Sequence, residues 1–324
     1  MQVGGIHHVS ALTKDAVKNH YFFTHILGMR LVKKSVNQDS PSSYHLFYAD
    51  AKGTPGTDMT YFDIPMAGKT YPGVSSISNT GFRIKSVEAL DFWEHRLQSF
   101  AIPKLERTTA FDREVLYFED FEGSRLHLVV DDGKGIPYGE AWEKEDIPIE
   151  YAIVGLGPSY LTVRHAERTV ETLTNILGFT IIGSYPSRVE GQPDTVVASV
   201  AEGGPAGEVH VQTRTDLPVE RPGRGSVHHV AFRIPSMEEY PKWQERLTQA
   251  GYQTSGLVDR YYFKSIYFRE PSGILYELAT DEPGFDSDES LETLGEKLAL
   301  PPFLESRRNE IESKLRPLSF DMID

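Results

Sequence analysis

The chain contains no cysteine. That removes disulfides, zinc-thiolate sites and thiol nucleophiles together, so any metal must be held by nitrogen and oxygen donors. No apolar stretch approaches the roughly 18 residues that cross a bilayer, and the N-terminus lacks a basic segment followed by an apolar one. The expected location is therefore the cytoplasm, with no membrane partner. Positive charge is in deficit: 33 Lys and Arg stand against 47 Asp and Glu, a net charge of -14. This balance opposes attraction to nucleic-acid phosphates and anionic surfaces. What is present is an ordinary globular composition over 324 residues, enough for a sizeable core and for two domains. A small molecule is the expected partner, and a homo-oligomer is left open.

Internal repetition decides the architecture before single residues are interpreted. HHVSALTKD from His7, SNTGFRIKS from Ser78, GPSYLTVRH from Gly157 and HHVAFRIPS from His228 align without gaps. Each reads as a short strand leading into a polar helix start. A helix-like stretch, a turn and further strand-like runs follow. Gly28, Gly178 and Gly251 fall where a helix ends in a left-handed residue. The unit is βαβββ. Its four copies are expected over residues 4–66, 75–133, 151–214 and 225–281, with a Pro-rich acidic linker over 134–150 and a charged tail over 286–324. SDESLETLGEKLA and FLESRRNEIESKL in the tail read as helices that pack on the body or mediate a dimer. The expected class is α+β.

Adjacent histidines occur twice in matched settings, GIHHVSALTKD and GSVHHVAFRIPS, and Glu277 follows in PSGILYELAT. Two imidazoles and one carboxylate form a donor set for a divalent metal with open positions. Strand alternation selects within each pair. His228 shares a face with Val230, Phe232 and Ile234, which belong under a helix, whereas His229 shares one with Ala231 and Arg233. His8 takes the same place in the first repeat. A lone strand histidine is usually a hydrogen-bonded core or surface residue, and a strand glutamate is usually solvated. Repetition at one position, and the apolar setting of Glu277, make His8, His229 and Glu277 the expected ligands.

The middle repeats carry Asn79 and Pro158 at the ligand-histidine position. His127 aligns with Glu277 but has no partners, and His210 is expected one position out of register, facing away. The first repeat must then sit against the fourth and the second against the third. This gives two half-barrel cups, one of them a structural remnant.

These motifs, together with LVKKSVNQDSPSSYHLFYADAKGTPGTDMTYF and DRYYFKSIYFREPSGILYE, resemble the vicinal oxygen chelate (glyoxalase/bleomycin resistance/extradiol dioxygenase) superfamily. Within it they resemble the hydroquinone-specific ring-cleaving dioxygenases over nearly the whole chain. The resemblance implies paired βαβββ modules around iron(II), dioxygen as co-substrate and a small aromatic diol as substrate. Manganese(II) accepts the same donors. It also implies roles for four further residues. Arg260 would stabilise oxyanion charge, Tyr267 would hydrogen-bond a substrate hydroxyl, His228 would act as acid-base group, and His7 would orient substrate or water. Ser10 would line the pocket.

Alternation points His7 and His228 away from the cup, so their roles require an irregular strand. Tyr267 aligns with Tyr117 of the metal-free second repeat, and Arg260 has Asp259 beside it as a structural partner. The rival readings are a glyoxalase-like metal isomerase or thiol transferase, whose fourth ligand position here holds Thr60, and a non-enzymatic binding protein, which would lack the triad.

Overall fold

Each repeat folds as one strand, a helix and a run of three strands, in a computed structural model that describes residues 1–318 and 320. The first module comprises β1 (Ile6–Thr13), α1 (Ala16–Tyr21), β2 (Arg30–Asn37), β3 (Ser40–Ala49) and β4 (Asp58–Asp63). The second comprises β5 (Ser76–Ile84), α2 (Val87–Ser99), β6 (Glu106–Ala110), β7 (Arg113–Glu119) and β8 (Arg125–Val130). The third has β9 (Leu156–Val163), α3 (Ala166–Glu171), β10 (Thr180–Tyr185), β11 (Thr195–Ser199) and β12 (Glu208–Thr213). The fourth has β13 (Val227–Ile234), α4 (Tyr240–Gln249), β14 (Val258–Asp259), β15 (Phe263–Arg269) and β16 (Leu275–Pro283).

Local chemistry sets these elements. Ser86 caps α2 by accepting from the Ala89 amide at 3.1 Å, and Leu90, Trp93 and Leu97, spaced three and four apart, form its buried face. The endings FFTHILG and TLTNILG widen α1 and α3 into π turns over Phe22–Ile26 and Thr172–Ile176. Gly28 then turns left-handed at φ 69°. A Cβ on Gly28 would lie 2.3 Å from Ile147 of the linker, so that close approach also demands glycine.

Two eight-stranded sheets result, in the orders β14-β15-β16-β13-β1-β4-β3-β2 and β10-β11-β12-β9-β5-β8-β7-β6. The first module is thus joined to the fourth and the second to the third, each pair through an antiparallel seam, β1 with β13 and β5 with β9. Val9, Val230, Phe232, Tyr276 and Leu278 pack with helix residues such as Phe22, Phe23 and Trp243 in the main core beneath the sheets. Successive side chains alternate, so the other face of each strand lines a cup.

The tail departs from expectation. SDESLETLGEKLA holds no α-helix: one 3₁₀ turn, Phe285–Ser287, ends at its first residue and another covers Leu291–Thr293. Its backbone is committed to β2 instead: the Ala299 amide donates to the Lys34 carbonyl at 2.9 Å, and Arg30 donates to the Glu292 carbonyl at 3.0 Å. Phe285 and Leu294 join Phe47, Tyr262 and Phe263 in a second apolar cluster on the cup side of the first sheet. Lys33, fully buried, is paired with Asp288 at 2.7 Å and with Glu289. FLESRRNEIESKL contains two short helices, α5 (Pro302–Glu305) and α6 (Arg308–Lys314). Tail residues 319 and 321–324 lie outside the described residues.

Candidate metal centre

His8, His229 and Glu277 come from three adjacent strands, β1, β13 and β16, and are 2 %, 3 % and 0 % exposed. Their facing atoms converge. His8 Nε2 lies 3.3 Å from His229 Nε2 and 3.2 Å from Glu277 Oε2, and His229 Nε2 lies 2.9 Å from the same oxygen. Donors about 2.1 Å from one metal and at right angles to each other stand about 3.0 Å apart, so this triangle fits one face of an octahedral ion. Glu277 Oε2 has no hydrogen-bond partner, while Oε1 takes a hydrogen bond from Ser265. The donor set therefore fits a divalent cation, with one carboxylate oxygen braced and the other free.

The neighbouring histidines explain which ring nitrogens are available. The β1–β13 ladder pairs Ile6 with Phe232 and then His8 with Ala231, leaving His7 as an extra residue; it pairs Ser10 with His229 and then Ala11 with Val227, leaving His228 extra. Each pair thus sits on a bulge, which re-aims side chains that strict alternation would send to opposite faces. His7 Nε2 lies 3.1 Å from the Thr280 carbonyl, which can only accept, so His7 carries its proton there. Its bare Nδ1 then accepts from His8 Nδ1 at 2.9 Å, which leaves the lone pair of His8 Nε2 pointing at the triad. His228 Nδ1 and His229 Nδ1 stand 2.8 Å apart; no carbonyl fixes the His228 tautomer among the described residues, and a cation at the triad requires His229 to be the donor of this bond so that its Nε2 is bare.

Electrostatics agree with neutral rings. Burial, with His8 beside it, pushes His7 well below its usual value, and burial lowers His229 against the pull of Glu277. Burial and the adjacent His229 bring His228 down to about 4. His8 is the exception: burial lowers it, but Glu277 and Asp58 more than reverse this, a pull that a bound cation would replace. Burial pushes Glu277 up, yet the two imidazoles hold its carboxyl well below the usual range.

A cavity of about 420 Å³ opens over the triad and is lined by Ser10, His228, Arg260 and Tyr267 as well as His8 and His229. His7 is not among its lining residues; it stands behind His8. Arg260 does not pair with Asp259, which instead takes Lys264. It reaches across to Asp39 of the first module at 2.9 and 3.2 Å, and its Nε donates to the Tyr267 hydroxyl at 3.2 Å. Thr60, in the fourth ligand position, is bonded to Ser10 at 2.7 Å and to His45 at 2.8 Å. Ser35, Asp39 and His45 all lie inside the run LVKKSVNQDSPSSYHLFYADAKGTPGTDMTYF, but spacing alone gives them no role.

The expected register of His210 is corrected. His210 stands opposite Tyr160, as Glu277 stands opposite Ala231, His127 opposite Gly81 and Thr60 opposite Ser10. It occupies the terminal-strand position equivalent to Glu277 and faces into the second cup, stacked on Tyr160 at 4.7 Å between centroids. The loop before β12 (200–207) matches the loop before β4 (50–57) in length but is longer than those before β8 (120–124) and β16 (270–274), so a gapless count does not carry from module to module. Among the described residues, His8, His229 and Glu277 form the one group of three whose donor atoms converge tightly enough for a metal.

Comparison with known proteins places this geometry. Residues 154–278 match the model of the Glyoxalase/Bleomycin resistance protein/Dioxygenase superfamily. MhqA of Bacillus subtilis (strain 168), assigned as a ring-cleaving dioxygenase, is 51 % identical over 98 % of this chain and 100 % of its own length. The chlorohydroquinone/hydroquinone 1,2-dioxygenase of Sphingobium indicum is 30 % identical over 96 % of this chain and 95 % of its own. A crystal structure from Bacillus subtilis, assigned as a dioxygenase, superposes with a TM-score of 0.89 at 33 % identity, covering 99 % of both chains.

Proposed function

This chain belongs to the glyoxalase/bleomycin resistance protein/dioxygenase superfamily and is a ring-cleaving dioxygenase, and on that premise we propose that it opens a hydroquinone-type aromatic diol at iron(II) held by His8, His229 and Glu277. The observation that carries the reading is the convergence of three buried donors beneath a cavity, one of them, His8, with its lone pair bared by a neighbouring histidine. Iron(II) held by His8, His229 and Glu277 would keep positions open and would supply the oxygen chemistry associated with a two-histidine, one-carboxylate face.

The remaining residues divide the work. Burial, with Glu277 nearby, pushes the Tyr267 phenol upward, so its hydroxyl stays protonated. Arg260 donates to the oxygen of that hydroxyl, which leaves the Tyr267 proton free for an oxygen in the cavity and sharpens it as a donor to developing negative charge. His228 is neutral near pH 7 and its ring lines the cavity; with its Nδ1 accepting from His229, its other nitrogen would carry a proton. It is the acid-base group of this reading. His7 acts through His8 as a positioning residue, and Ser10 lines the pocket.

A glyoxalase-like isomerase is less well supported, since Thr60 in the fourth ligand position is engaged by Ser10 and His45. The test is anaerobic loading with iron(II), or manganese(II) for comparison, followed by oxygen uptake over substituted hydroquinones and catechols. Oxygen consumption matched by loss of the diol is expected. Absence of uptake with every diol, alongside anaerobic conversion of a thiol adduct, would replace this reading by the isomerase.

A further inference from the structure

The wall of the cavity contributed by the first module holds polar atoms that neither the triad nor the Arg260 pair uses. Ser35 on β2 and His45 on β3 are cross-strand partners, so they project to the same face, and both line the cavity. The Ser35 hydroxyl is buried and has no hydrogen-bond partner. His45 spends Nε2 on Thr60, which is bonded in turn to Ser10; its Nδ1 makes no hydrogen bond among the described residues. Phe47 and Phe62 flank the ring with centroids 3.9 and 4.1 Å away, which fixes its plane.

Pseudo-symmetry shows how this wall arose from the other. Thr60 holds in the first module the place of Glu277 in the fourth, and counting along the ladders puts His45 in the place of Ser265. Ser265 braces Glu277; His45 bonds Thr60. A ligand and its buttress have been exchanged for a hydroxyl and an imidazole. A buried hydroxyl without a partner keeps an uncompensated desolvation cost unless something completes it. Phe47, Phe62, Phe263 and Leu275 supply apolar surface of the same cavity, suited to a ring face.

We propose that His45 and Ser35 form a subsite for the second oxygen of a para-diol whose first oxygen is at the metal, an inference that rests on the function proposed above. The imidazole offers a donor or an acceptor according to its tautomer, and a hydroxyl meets either. A para-diol has oxygens at opposite ends of a rigid ring and satisfies both sites at once. An ortho-diol carries both oxygens to one end and leaves Ser35 and His45 unpaired, so the subsite selects hydroquinones over catechols.

The test is anaerobic calorimetric titration of the iron(II)-loaded protein with hydroquinone, with 4-methylphenol, which lacks the second oxygen, and with catechol. The unaltered protein is expected to prefer hydroquinone over both by about tenfold or more. Ser35→Ala removes only an unpartnered hydroxyl, so its melting temperature should not fall, while its preference for hydroquinone shrinks by about threefold. His45→Phe should abolish the preference and leave 4-methylphenol affinity unchanged. If His45→Phe does not fold, Thr60→Val, which frees the imidazole from its tether, takes its place with an intermediate loss. An unchanged preference in Ser35→Ala and in either other variant overturns the subsite. Tighter binding of catechol than hydroquinone overturns it while leaving a dioxygenase standing; no binding of any phenol to loaded protein sinks the functional reading itself.

Discussion

In the cup built from the first and fourth modules, three buried donor atoms converge on one point; in the cup built from the second and third, the two histidines at the terminal-strand positions do not converge but engage local partners, although His127 Nε2 is left unpaired. His127 is held by Asn79 at 2.6 Å, and His210 by Glu208 at 3.1 Å and Tyr185 at 3.0 Å. Tyr117 and Tyr160 bond each other at 3.0 Å in the same interior. The backbone frame is shared nonetheless. The β5–β9 seam pairs Ile77 with Leu161 and then Asn79 with Tyr160, so Ser78 is extra where His7 is extra in the other seam. The bulge therefore belongs to the fold rather than to the metal. What distinguishes the cups is the choice of residue at four positions on that frame, with Pro158 standing where His229 stands and Asn79 where His8 stands.

The largest expected contrast follows from those positions. Glu277→Ala or His229→Ala should remove nearly all bound iron and activity, measured by metal analysis and oxygen uptake, because two donors cannot hold a labile divalent ion against water. His127→Ala and His210→Ala should leave iron content unchanged. Equal losses in both cups would mean that the second also binds metal, which its hydrogen bonds argue against.

The two tyrosines at equivalent positions sharpen the comparison further. Tyr267→Phe should retain iron and lower kcat by about 10- to 1000-fold, as expected when a donor to developing charge is lost. Tyr117→Phe should leave kcat alone and cost about 1 kcal/mol of stability from its bond to Tyr160. A matching kcat loss in Tyr117→Phe would show that the cups communicate. His7→Ala, which strips the support behind His8, should weaken iron affinity by about 10- to 100-fold without contacting substrate. An unchanged dissociation constant would assign His7 to packing alone.

The repeats made much of this legible in advance. Four aligned segments fix four modules, and the position of the matched histidines decides that the first module must meet the fourth, which the strand order shows. Period-two alternation also selects His8 and His229 within their pairs, and the apolar setting of Glu277 marks it as the third donor. It cannot reveal a bulge, because an extra residue is a property of how two strands pair and leaves no mark on either one alone; His7 and His228 were therefore ambiguous. His210 was misplaced for a related reason, since ladders rather than gapless counting set register. Ser35 and His45 meet only across a ladder, and Arg260 finds Asp39 221 residues away rather than Asp259 next door. The tail misled because SDESLETLGEKLA has helical composition, whereas its backbone partners on β2 are invisible in sequence.

The smallest expected effect separates the cups by pH. Burial, with His210 and Arg188 nearby, lowers His127 to about 3, whereas in the unfolded chain it titrates near the usual value of 6.5. Between these limits the unfolded state binds a proton that the folded state refuses, so stability is full above about 6.5 and falls as pH falls, by at most about 1.4 kcal/mol per pH unit. Glu220, raised to about 7 by burial, and Asp120, raised to about 6 by burial, work in the opposite sense, because the folded state takes up their protons first and gains stability on acidification. The net profile of the unaltered protein thus mixes signs, and the informative quantity is a difference. His127→Gln, which keeps a polar group for Asn79 but cannot titrate, should flatten the acid-side fall in chemical-denaturation stability between pH 6.5 and about 4, with iron content unchanged at neutral pH. Superimposable pH profiles for the two proteins would mean that His127 is not held neutral, and that the second cup is open to water in the way the first cup is.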